Sequence, residues 1–177
     1  MDASSAYQDS LPVHPDKLLD AIASLGISTT AFTHPPLRTV EDSKAFRDEL
    51  LTTAEGGAHI KNLYLRDKKK RNFLAVIQED KQVDLKALAD LFDAQRLSFG
   101  SEERLLENLG VRPGAVTPLS MMHGAGHNVI LGLDRDIIDA KQIYMHPLVS
   151  DRTIGMTGAD LLVFLKAFSI SPIMLDI

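Results

Sequence analysis

An α+β domain is what this sequence predicts, on three observations. Two apolar runs, 58–66 and 72–78, flank the charged turn Asp67-Lys68-Lys69-Lys70, the pattern of a β-hairpin. Apolar stripes at i, i+3, i+4, i+7 spacing recur behind good cap residues, as at Leu85, Leu88, Ala89 and Phe92 after Asp84. Strands and helices do not alternate regularly, as a parallel βαβ sheet would require. The 177 residues suffice for one domain with a core, and 45% hydrophobic against 24% charged residues excludes a disordered or coiled-coil chain.

Taken in order, residues 1–12 read as a flexible N-terminal tail before a single domain over 13–177. Pro15 opens a helix whose apolar face is Leu18, Leu19, Ile22 and Leu25, with Gly26 as its left-handed stop. An extended stretch, 29–34, runs into Pro35-Pro36, which forbid helix there. Residues 40–51 predict a short polar helix ended by Gly56-Gly57. After the hairpin and the Asp84-capped helix come a strand at 96–99 and a helix at 101–109, stopped by Gly110. Residues 111–120, with Pro113, Gly114 and Pro118, predict a shaped loop leading into a strand. Further strands are predicted at 128–134 and 142–145. Thr157 with Asp160 caps a last helix whose stripe is Leu161, Phe164, Leu165 and Phe168, and 171–177 returns as a strand.

Composition narrows the function. Nineteen basic and twenty-four acidic residues give a net charge of −5, so a nucleic acid would have to meet a local basic patch. The absence of cysteine removes disulfides, thiolate nucleophiles and cysteine-based metal sites. No segment has the length of a membrane span, and the polar start lacks the pattern of a signal peptide, so a cytoplasmic protein is expected. There is no G-x-S-x-G elbow, no phosphate-binding loop, no G-x-G-x-x-G and no H-E-x-x-H.

Four features could carry chemistry. Lys61 lies inside an apolar strand, where an ammonium calls for an anion or an escape to water. Strand alternation puts it on the face opposite Asn62. Both serve one cleft only if the strand start is bulged or the asparagine acts through its backbone, so Lys61 is the stronger candidate. The segment Gly114-Ala115-Val116-Thr117-Pro118 is stiffened by proline and opened by glycine, so its N–H groups could hold a carbonyl oxygen or carboxylate, or it is an ordinary rigid turn. His146, held extended by Pro147, could project into a cleft or sit as a hydrogen-bonded core histidine. His123 and His127 are four apart, but two intervening glycines argue against a helix and hence against a metal site. From Lys61 to Arg71 there are six basic residues and one acid, and Lys68, Lys69, Lys70 and Arg71 form the one place for a phosphate backbone, or else a solvated hairpin tip.

In order and spacing these segments resemble the YbaK/prolyl-tRNA-synthetase-associated editing family, and most its free-standing Ala-tRNA(Pro) deacylase branch, the ProX/PrdX-like proteins. The resemblance is carried by His34-Pro35-Pro36 with Thr39-Val40-Glu41, by Gly57 with Lys61-Asn62-Leu63, and by Arg96-Leu97-Ser98-Phe99-Gly100. It continues through Gly110-Val111, Pro113-Gly114-Ala115-Val116-Thr117-Pro118 and His146-Pro147-Leu148. It implies a curved mixed β-sheet with surrounding helices, and hydrolysis of the ester joining a wrong amino acid to tRNA. It also implies that Lys61, Asn62 and His146 are catalytic, with Lys61 on the phosphate of the terminal adenosine and residues 114–118 as the substrate loop. Mischarged tRNA(Pro) is the expected partner, with prolyl-tRNA synthetase a second candidate, no membrane, and no cofactor or metal. The chain departs from the family pattern at His123-Gly124, where relatives often have Asn-Asp, and at Ser150-Asp151, where they tend to have asparagine.

An aminoacyl ester is already activated, so such an enzyme need only place the carbonyl near donors and admit a water. Selectivity becomes a matter of size, with Val116, Met121 or Leu37 as the wall. Cys-tRNA(Pro), or another small noncognate such as serine, is the alternative substrate. A non-catalytic nucleic-acid-binding module and a metal hydrolase are the alternatives of other classes.

Overall fold

The computed structural model describes residues 1–35 and 46–177. Its frame is one mixed eight-stranded sheet with helices around it, the α+β class the sequence predicts. The elements are α1 (Pro15–Ser24), β1 (Thr30–Thr33), β2 (Gly57–Arg66), β3 (Asn72–Gln78), α2 (Leu85–Leu91), β4 (Ser98–Phe99) and α3 (Glu102–Leu109). They continue with α4 (Met121–Gly124), β5 (Ile130–Asp134), β6 (Gln142–Met145), β7 (Arg152–Met156), α5 (Gly158–Ala167) and β8 (Ile173–Leu175). The strand order is β1-β7-β6-β2-β3-β5-β8, with β4 added to β2. β2 pairs antiparallel with β3 and β4 and parallel with β6.

β3 explains why the hairpin was so legible. Leu74 and Val76 point into the larger core with Leu18, Ile22, Leu119, Phe164 and Leu165. Phe73, Ala75 and Ile77 point into a second core with Leu65, Leu88 and Phe92 on the other face. A strand buried on both faces reads as a continuous apolar run. The caps also stand where expected. Asp84 accepts from the Lys86 amide, Thr157 from the Asp160 amide, and Gly26 and Gly110 close α1 and α3 with positive φ.

The structure differs from the sequence reading in three places. Residues 1–12 are docked rather than loose. Ser5–Ser10 forms a 3₁₀ helix, Ala3 is buried, and the Ala3 carbonyl accepts from the Ser150 amide at 2.8 Å. Short polar side chains hide this contact from a local reading, because it depends on Asp151, 146 residues away, which accepts from the Ser5 amide and hydroxyl. Residues 118–127 are helical rather than extended, a 3₁₀ turn followed by α4 and by a second 3₁₀ turn over Ala125–His127, so the glycines between His123 and His127 do not keep that segment out of helix. Gly124 is tolerated there because α4 lies against α3 so closely that a Cβ would strike Leu109 at 2.8 Å. β7 is an additional strand, short and containing Gly155, whose missing side chain leaves room for Gln142 and Thr30 of the neighbouring strands. Of the helix expected at 40–51, residues 40–45 lie outside the described residues, Phe46 and Arg47 are helical, and 48–51 form a turn and leave the helix.

Candidate functional site

The site begins with an interruption in the sheet. On the side of β2 away from β3, β6 pairs with Gly57, Ala58 and His59, and β4 pairs with Leu65 and Arg66. Between them Ile60–Leu63 has no ladder partner among the described residues, and strands left unpaired offer backbone and side chains to a ligand. A cleft of about 240 Å³ opens there, lined among others by Arg47, His59, Asn62, Glu79, His146 and Thr153. It runs on, across Ile60, Asn62 and His146, into a second space of about 250 Å³ bounded by Gly114 and Val116.

His146 stands at the end of β6, where Pro147 prevents helix and turns the chain. Its Nδ1 lies 2.7 Å from the Arg152 carbonyl, which can only accept, so the proton sits on Nδ1 and Nε2 keeps its lone pair. Desolvation pulls the His146 pKa below its ordinary value of 6.5, and nearby His34 adds to this, while the Arg152 carbonyl and Asp151 oppose it. The ring is therefore neutral at pH 7. His34, the histidine before Pro35-Pro36, lies 6.1 Å away centroid to centroid. It is held by the Pro35 carbonyl at Nδ1 and by the Thr153 hydroxyl at Nε2, each at 2.9 Å.

Asn62 contributes an amide whose Oδ1 is buried without a hydrogen-bond partner. Such an orphan is costly, roughly 1–3 kcal/mol, unless a ligand or water supplies the missing donor. Facing it, Gly114 adopts φ +95°, the left-handed region that favours glycine. Within this loop the Ala115 amide is spent on the Arg112 carbonyl at 3.0 Å, while among the described residues the Gly114 and Val116 amides have no intramolecular acceptor. Main-chain donors of this kind can hold an oxygen that gains negative charge. The docked N-terminal segment backs the loop, with Ala3 3.9 Å from where a Gly114 Cβ would stand.

Asn62, Gly114, Val116 and His146 thus come together, and Lys61 does not join them. It lies on the face of β2 that carries His59, and its Nζ donates to the main-chain carbonyls of Glu79, at 3.0 Å, and of Lys81. Asn62 and not Lys61 borders the cleft, because the chain turns after Gln78 and leaves these carbonyls unspent beside the ammonium. Ala115, Thr117 and Pro118 are buried supports of the loop: Thr117 caps the following 3₁₀ turn, accepting from the Leu119 amide. Met121 is likewise buried in the core rather than in the wall. Leu37, and with it Pro36, Thr39, Val40 and Glu41 of the quoted motif, lies outside the described residues.

The hairpin tip divides. Lys68, Lys69 and Lys70 are exposed, but Arg71 is tied to the buried carboxylate of Asp67 at 2.8 Å and to the Asp93 carbonyl at 2.8 Å. His123 and His127 lie with ring centroids 4.3 Å apart, and His123 Nε2 donates to the Glu107 carbonyl. Among the described residues no third candidate ligand joins them. Sequence reasoning missed Arg47, His59, Glu79 and Thr153 as lining residues. Each sits in an element unremarkable by itself, and only strand pairing brings them to one opening.

The aminoacyl-tRNA editing domain model matches residues 34–164, from the end of β1 into α5. The chain belongs to the aminoacyl-tRNA editing domain family. The prolyl-tRNA synthetase associated domain-containing protein 1 of Danio rerio is 35% identical over 162 residues, which cover 90% of this chain and 85% of the relative. The prolyl-tRNA editing protein ProX of Acetoanaerobium sticklandii is 31% identical over 144 residues, covering 81% and 85%. A solved structure described as a candidate trans-editing enzyme for prolyl tRNA synthetase superposes with a TM-score of 0.68 at 18% identity, over 92% of this chain and 94% of that one. At that identity the likeness is one of fold. In this editing domain the matched region contains every described residue that lines the cleft. Among the described residues no helix is long and apolar enough to cross a membrane.

Proposed function

We propose that this editing domain acts in trans as a deacylase, hydrolysing the ester that joins a noncognate amino acid to tRNA(Pro), with alanine the preferred group. One observation carries the reading: a neutral imidazole, an orphaned amide oxygen and a loop whose Gly114 and Val116 amides have no acceptor among the described residues border one cleft, where β2 lacks a partner on the side away from β3. The names of the relatives, one of them a prolyl-tRNA editing protein, support the same substrate class.

The chemistry asks for position rather than a protein nucleophile. The Gly114 and Val116 amides hold the ester carbonyl as it becomes tetrahedral, and Asn62 Oδ1 accepts from a substrate hydroxyl or amine. His146 Nε2 accepts a proton from the attacking water or from the ribose hydroxyl that orders it. Val116 forms part of the wall that excludes larger side chains. Lys68–Lys70 lie in the turn beyond β2, six or more residues from Asn62 and about 20 Å away at strand rise, and meet the acceptor stem there. Mischarged tRNA(Pro) in the cytoplasm is the partner, with prolyl-tRNA synthetase as the enzyme whose errors are removed. Lys61 acts through the Glu79–Lys81 turn that it holds.

The test is a panel of Ala-, Cys-, Ser- and Pro-tRNA(Pro) incubated with the wild type, His146→Ala and Asn62→Ala. Alanine is expected to be released fastest, with kcat reduced about 10²-fold for His146→Ala and about 10-fold for Asn62→Ala. Tight, salt-sensitive binding of uncharged tRNA with no release of any amino acid would make the chain a binding module instead. Protonating His146 removes the acceptor, so activity falls on the acid side of the ordinary histidine range. Stability follows the same sign. His146 takes its proton more readily unfolded, so its contribution is complete above 6.5 and fades as pH drops towards the lowered folded pKa. A wild-type pH–stability slope that survives in His146→Gln would contradict this.

A further inference from the structure

At the mouth of the cleft Arg47 and Glu79 form a two-bonded ion pair, Nη1 to Oε1 at 2.8 Å and Nη2 to Oε2 at 2.6 Å. Among the described lining residues Arg47 is the one permanent cation and Glu79 the one carboxylate. The rest of the lining is apolar, amide, hydroxyl, phenol or imidazole. The pair joins segments 32 residues apart and is partly open to solvent, with Arg47 46% and Glu79 24% exposed.

Besides this pair, Glu79 is fixed in place by its backbone. Its amide donates to the His59 carbonyl at 2.9 Å, and its carbonyl accepts from Lys61 Nζ. Lys81, the nearest lysine in sequence, is held by Asp134 and Asp136, each at 2.8 Å, and so does not compete for Glu79. Arg47 is the only partner of this carboxylate among the described residues. The strand lysine, which as a sequence asked for an anion, instead holds an anion's backbone in position at the cleft.

We infer that the Arg47–Glu79 pair stands in for two charges of the substrate: Arg47 receives the phosphate of the terminal nucleotide, and Glu79 receives the α-ammonium of the aminoacyl group. The inference rests on the deacylase reading and adds a selectivity rule to it, that the ester must carry a free α-amino group. The chemistry favours the exchange. An aminoacyl ester presents a cation one carbon from the scissile carbonyl and an anion on the far side of the ribose, a dipole complementary to this pair. A solvent-accessible ion pair contributes little net stability, so replacing it by two substrate ion pairs leaves every charge matched at small cost. A carboxylate left in the cleft without an ammonium partner would repel the tRNA phosphates, which is why a substrate lacking the amine is disfavoured.

The experiment compares alanyl-tRNA(Pro) with lactyl-tRNA(Pro), in which a hydroxyl of similar size replaces the ammonium, after subtraction of spontaneous hydrolysis. The wild type is expected to favour alanyl by roughly 10- to 100-fold in kcat/KM, the range of a lost charged hydrogen bond. Glu79→Gln should bring the two substrates to near equality. Arg47→Ala should keep the alanyl preference, raise KM, and lower the slope of log(kcat/KM) against log[salt] by about one phosphate contact. A Glu79→Gln variant that keeps the preference, or an Arg47→Ala variant with an unchanged salt slope, overturns the exchange. Equal wild-type rates on the two esters overturn it while leaving deacylation standing. If neither ester is cleaved, the deacylase reading falls and takes this inference with it.

Discussion

Glu79 and Lys81 stand two residues apart in the turn after β3, yet their ion pairs differ in kind. Lys81 meets Asp134, whose side chain is fully buried and which also accepts from the Gln78 and Asp136 amides at 3.0 and 3.2 Å. Burial works against the Lys81 ammonium, but its bonds to Asp134 and Asp136 prevail and raise its pKa above the ordinary value. Among the described residues Glu79 meets only Arg47, at the open mouth of the cleft. One pair is locked by several partners and closes the end of the sheet; the other is matched once and can be exchanged. Charge alone does not tell the two pairs apart: the number of partners and access to solvent do.

That contrast can be broken by mutation. Asp134→Ala should cost about 3–5 kcal/mol in chemical denaturation, because it leaves the Gln78 and Asp136 amides without their buried acceptor and removes the inner of the two carboxylates that hold Lys81. Parity with a surface substitution would show that the pair is not the clamp described. Lys61→Met should cost less, about 1–3 kcal/mol, by freeing two carbonyls. It should also weaken discrimination between alanyl and lactyl esters by loosening Glu79; an unchanged ratio would separate Lys61 from the cleft. Arg47→Ala should shift stability by under about 1 kcal/mol while still impairing the reaction, since its pair is exposed. A large loss of stability there would move Arg47 into the class of Lys81.

Much of the fold was legible locally. The hairpin, the Asp84 and Thr157 caps and the glycine stops each depend on residues within a few positions of one another, and backbone conformation is decided at that range. The site was legible in part. Gly114, Val116, His146 and Asn62 could be singled out because proline, glycine and a polar residue in an apolar strand are conspicuous. The position of the Lys61 ammonium was not legible, because its partners are main-chain carbonyls eighteen and twenty residues away, exposed by a turn whose sequence says nothing about where it lands. The Ser5–Asp151 contact and the Arg47–Glu79 pair escaped for the same reason.

By itself the sequence determined the class of fold, the order of most elements and the segments that could carry chemistry, since each follows from short-range periodicity and steric preference. Only the tertiary structure decided which of those segments share a cleft. β6 releases β2 after His59 and β4 takes it up again at Leu65, and neither event is encoded within β2. Which side chains meet across that interval depends on strand register, and register is a property of pairs of strands rather than of any one stretch of chain.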